Sequence, residues 1–172
     1  GTFPDRITSL VLIDGYVPMP QEPADAAKQI MKAIRENKRF AATTPTQFEN
    51  FDRAIQARVN GFVPLELDAA ALLANRGVVE GPAGYYWAND QRLKAASFVK
   101  FSKECLESFL TSVVAPALLI QAEDSMFSPD RQQSELFDWI PQMEIIKMPG
   151  SHHLHLEEGA ERVAEEVKRF LK

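Results

Sequence analysis

Three short apolar runs constrain this chain more than any other feature: SLVLID at residues 9–14, PALLIQA at 116–122 and MEIIKM at 143–148. Each is too short for a buried helix and shows no polar face, the pattern of a strand covered on both sides in a parallel sheet. The second and third are joined by SPDRQQSELFDWIP, with Ser128 as an N-cap, Pro129 at the first helical position and Pro141 as a stop, so a βαβ unit is expected. After the third run, Ala160, Val163, Ala164, Val167, Phe170 and Leu171 share one helical face opposite Glu161, Glu165, Glu166, Lys168 and Arg169. That stripe predicts a final helix packed on the sheet.

The first and second runs stand about a hundred residues apart, whereas a crossover needs only a dozen or so. An insertion is therefore expected, with helices over about 24–37, 45–59, 67–75 and 102–113 and breakers at ATTPT, NGFVP and RGVVEGPAG. GYYWANDQRLKAASF reads as extended aromatics leading into a short turn or helix. The resulting division is a core of residues 1–20 and 114–172 and a helical cap of 21–113. Three strands alone would leave SLVLID as an open apolar edge, and such edges are normally paired or covered. A further segment in front of Gly1, or a second copy of the chain, is the expected partner of that edge.

Composition removes several function classes. Of 172 residues, 45% are hydrophobic and 25% charged, which is ordinary globular usage. The net charge of −5 carries no basic block, so neither nucleic acid nor an anionic membrane surface is an expected partner. No apolar run reaches the length of about 20 residues that spans a bilayer, and GTFPDR has no signal-peptide character. A cytoplasmic setting is the default, consistent with one cysteine, Cys105, on a half-buried helical stretch.

In open α/β sheets, ligands lie beyond the carboxyl ends of the strands, so polar residues there are the candidates for chemistry. Asp14 follows the first run, Glu123 and Asp124 the second, and PGSHHLHLEEG, which holds all three histidines, the third. An acid followed in sequence by a histidine is the closing part of a nucleophile, acid, base order. A metal site built on His152, His153 and His155 is the weaker alternative, because three or four ligands must converge and Glu157 and Glu158 suit a helix N-terminus.

GTFPDRITSLVLIDGYVP, APALLIQAEDSMFSP and MEIIKMPGSHHLHLEEGAERVAEEVKRFL resemble the sixth strand, the seventh strand with its acid loop, and the eighth strand with its histidine loop and final helix of α/β-hydrolases. RGVVEGPAGYYWANDQRLKAAS is similar to the distal cap of the serine-hydrolase-like branch. The resemblance implies an α/β fold forming the C-terminal half of such an enzyme, three parallel strands with flanking helices and an inserted helical cap. It implies hydrolysis of an ester or related bond through a serine acyl-enzyme, on a small-molecule substrate and without a cofactor. His152 is then the general base, because the family places an acidic residue five positions after that histidine and Glu157 lies there. Asp124 is the first choice of acid, Asp14 its rival and Glu123 a weaker one. His153, His155 and the pair Asp90 and Arg92 are read as structural, and Tyr85, Tyr86, Trp87, Met126 and Phe127 as packing or as walls of an acyl pocket. The family's Gly-x-Ser-x-Gly motif does not occur in these 172 residues. The chain by itself is therefore expected to be inactive, or to serve as a binding or self-associating module.

Overall fold

A computed structural model describes residues 1–125 and 134–172. The three apolar runs are strands β1 (Leu10–Ile13), β4 (Ala117–Ala122) and β5 (Met143–Met148), joined in parallel in the order β1-β4-β5. Every residue of β4 is buried, as a run with no polar face requires. Strand β1 borders β4 on one side only among the described residues, and its four residues are half-buried. Helix α5 (Ala160–Phe170) sets Val163, Val167 and Phe170 against Leu118, Ile120, Ala122, Met148 and Leu154, the main apolar cluster of the sheet.

The chain divides into two compact units, residues 1–23 with 101–172, and residues 24–100. The first holds the sheet and takes in α4 (Lys103–Thr111), which sequence patterning alone assigns to the insertion. Ser102 caps α4 by accepting the Cys105 N–H, and Cys105 is exposed rather than half-buried. In the connection from β4 to β5, Ser128 and Pro129 lie outside the described residues. Residues Ser134–Trp139 form a 3-10 helix.

The second unit contains α1 (Ala26–Ala41), α2 (Phe51–Val59), α3 (Leu67–Gly77) and a hairpin of β2 (Val78–Gly81) and β3 (Gly84–Trp87). Its buried core is mostly of small side chains, Ala33, Ala54, Ala69, Ala70 and Ala74, with Ile55 and Leu65 as the larger members. Trp87 spans the unit by donating its indole N–H to the Ala54 carbonyl at 3.1 Å. The hairpin replaces what reads as a breaker, RGVVEGPAG. Its turn is the Pro82-Ala83 pair between two glycines, and Gly84 has φ +119°, with Phe48 O 2.3 Å from where a Cβ would stand. Only glycine fits that position, which frees Tyr85 to exchange two backbone bonds with Phe48. Asp90 and Arg92 pair as expected on the surface of this unit. The Arg92 guanidinium and backbone N–H hold the Asp90 carboxyl below its ordinary range.

Candidate active site

The carboxyl ends of all three parallel strands converge on one carboxylate. Asp14 follows β1 directly, and its N–H is held by the Ile120 carbonyl at 2.7 Å. Its φ of +43° is unusual for a residue with a Cβ, and aspartate is among the few side chains that tolerate it. This conformation turns the carboxylate inward, where the residue is 2% exposed. Oδ1 accepts the Ala122 N–H at 2.8 Å, and Oδ2 accepts the Ser125 hydroxyl at 2.6 Å. The same Oδ2 lies 2.7 Å from His152 Nδ1. A buried charge with this many partners is well compensated, and the strain at Asp14 is outweighed by the bonds that fix it.

His152 is presented by the turn after β5. Gly150, at φ +124°, allows the chain to reverse, and a Cβ there would meet Leu154 Cβ at 3.3 Å. Ser151 then donates its hydroxyl to Glu157 Oε2 at 2.7 Å and accepts the His153 N–H at 3.0 Å. Glu157, noted in the sequence for its spacing from His152, thus braces the loop through Ser151. With its Nδ1 facing a carboxylate, the imidazole is favoured in the tautomer that carries the proton on Nδ1. That is the tautomer a general base needs. The His152 side chain is 27% exposed, so it borders solvent while the Asp14 carboxylate does not.

Asp124, the first-choice acid of the sequence, does not hold this position. The Glu123 and Asp124 N–H groups donate to the Met148 and Gly150 carbonyls, and these bonds tie the turn to the end of β5 with both side chains exposed. The next residue, Ser125, is the one that turns inward, at 3% exposure. The rival, Asp14, is the carboxylate paired with His152. No sequence signal pointed to Ser125, because a serine one step past an acidic pair looks like an ordinary turn residue.

The rings of the other two histidines stand near the pair. The ring of His153 lies 4.9 Å from that of His152, and the ring of His155 lies 6.4 Å from that of His153. Among the described residues no three His, Cys, Asp or Glu side chains are grouped to hold a metal ion. Burial pushes the His155 imidazole below its ordinary range, and His152 nearby adds to the effect. The unfolded chain therefore binds a proton near pH 6.5 that the folded chain refuses. Stability contributed by neutral His155 is present above that pH and is lost as the pH falls through it. His155→Gln is expected to flatten the loss of urea stability between about pH 7 and about pH 5 relative to the parent chain.

Beside the pair, Tyr16 stacks on Phe137 at 5.0 Å, and burial with the nearby Asp138 charge pushes its phenol up to about 12. Of the side chains considered as pocket walls, Met126 and Phe127 lie outside the described residues. Trp87 instead borders a cavity of about 460 Å³ within the second unit, together with Phe48, Arg58, Gln91 and Lys94. No helix among the described residues is long and apolar enough to cross a membrane.

A parallel sheet with a carboxylate and a histidine in contact beyond its strand ends is an α/β arrangement. The profile of the alpha/beta hydrolase fold family matches residues 1–159, and the chain belongs to that family. A serine hydrolase-like protein of Danio rerio is 24% identical over 178 residues, covering 98% of this chain and 54% of the relative. The structure of a hypothetical protein of Pseudomonas aeruginosa PAO1 is 31% identical over 99% of this chain and 60% of its own, with a TM-score of 0.89. A thioesterase domain from the curacin biosynthetic pathway shares the fold at 18% identity and a TM-score of 0.75, covering 96% of this chain and 59% of that domain. The chain thus spans a little over half the length of the curated relative it matches.

Proposed function

We propose that Asp14 and His152 are the acid and base of a serine-type hydrolase whose nucleophile stands on a segment outside these 172 residues. The observation that carries this reading is the 2.7 Å contact between His152 Nδ1 and the buried Asp14 Oδ2. In such a mechanism the His152 Nε2 takes the proton from a serine hydroxyl as it attacks an ester or related acyl bond, then returns it to the leaving group. Asp14 fixes the tautomer and stabilises the imidazolium formed in between. Water enters deacylation by the same base. The thioesterase name of a related fold and the serine hydrolase-like relative support this class.

The Gly-x-Ser-x-Gly motif that carries the nucleophile in this family does not occur in these 172 residues, and the reading places the nucleophile and its oxyanion donors on another segment. The rate of the chain by itself with p-nitrophenyl acetate is expected to match that of free imidazole at equal concentration. A longer polypeptide that joins a Gly-x-Ser-x-Gly segment in front of Gly1 is expected to hydrolyse the ester with burst kinetics. A robust rate from the 172 residues alone, abolished in His152→Ala, would contradict the reading.

A further inference from the structure

We infer that Ser125 is a positioning residue for the acid–base pair, its hydroxyl sharing Asp14 Oδ2 with the imidazole of His152. The inference rests on Asp14 and His152 being the working pair. The hydroxyl donates to Oδ2 at 2.6 Å and His152 Nδ1 stands 2.7 Å from the same atom, while the Ala122 N–H occupies Oδ1. Two donors on one oxygen compete for its electron density, and in a buried site that competition is not diluted by water. Ser125 is 3% exposed and lies on the turn after β4, so its hydroxyl is placed by the same backbone that holds Glu123 and Asp124 to β5. The arrangement does two things. It fixes the rotation of the Asp14 carboxylate, and it limits how strongly that carboxylate pulls on the Nδ1 proton.

The consequence is specific to the imidazole proton. Removing the hydroxyl leaves Oδ2 to His152, and the remaining hydrogen bond strengthens. The test is the proton NMR resonance of the His152 Nδ1–H in the 172-residue chain, at one fixed pH, because the His153 ring lies near that of His152 and the His155 imidazole is coupled to it. Asp14→Asn assigns the resonance by removing it. Ser125→Ala is expected to move it downfield, and Ser125→Cys, with its weaker donor of similar shape, to move it by a smaller amount in the same direction. An unchanged resonance in Ser125→Ala overturns the inference. So does an upfield shift or loss by exchange with solvent, which would mark Ser125 as a packing residue whose removal loosens the loop. Because the readout is a proton shift rather than turnover, it separates from the hydrolase reading: failure of the longer polypeptide to hydrolyse esters would leave the expected shift unaltered.

Discussion

Ile120→Ala is expected to destabilise the sheet unit by about 2–5 kcal/mol. Ile120 is fully buried in the central strand, against Leu118, Ala122, Met148 and Leu154. Truncation removes the transfer energy of three carbons and leaves a cavity that strands on both sides of β4 prevent from collapsing. For a total stability of about 5–15 kcal/mol, this is a large fraction. The two tryptophans make the outcome readable, because Trp139 belongs to the unit of residues 1–23 and 101–172 and Trp87 to the unit of residues 24–100. Urea unfolding followed at the Trp139 environment should shift to lower midpoint. A midpoint within error of the parent would show that β4 is not the centre of the core.

Asp14→Asn, in a longer polypeptide bearing the nucleophile, is expected to lower kcat by about 10⁴-fold. An asparagine amide at Asp14 keeps the shape, yet it turns a donor or a neutral oxygen toward Nδ1, so the imidazole no longer holds the proton where the base requires it. The imidazolium formed during proton transfer also loses its buried counter-charge. The loss should fall mainly on kcat, with KM changed little, since Asp14 is buried and stabilises only the charge that develops. Steady-state kinetics of purified, folded variant and parent check this.

Much of the fold is legible in the sequence because its signals are local. The three apolar runs become β1, β4 and β5 with bounds displaced by a residue at most, and the stripe from Ala160 to Phe170 becomes α5. GYYW is legible as extended chain, but its pairing with VVEG is not, because both are four-residue strands around Gly and Pro and Phe48 pairs across to Tyr85. Helix α4 is visible as a helix, but its unit is not, since patterning says which face is apolar and not which partner covers it.

The site divides in the same way. His152 stands out by its place after a strand and its spacing to Glu157, and the structure shows Glu157 bracing the loop through Ser151. The choice between Asp14 and Asp124 is not a local question. Both carboxylates follow a strand, and what separates them is the backbone conformation of single residues: φ +43° turns Asp14 inward, while bonds to the Met148 and Gly150 carbonyls hold the Asp124 turn with its side chain in solvent. A one-residue difference in where the β4 turn faces inward gives the buried place to Ser125.

The central claim is that the acid serving His152 is Asp14, and the most direct measurement is kcat for Asp14→Asn and Asp124→Asn side by side in the longer, nucleophile-bearing polypeptide. The account predicts a loss of about 10⁴-fold for the first and a change below about tenfold for the second. A severe loss in Asp124→Asn with near-parental turnover in Asp14→Asn would contradict it.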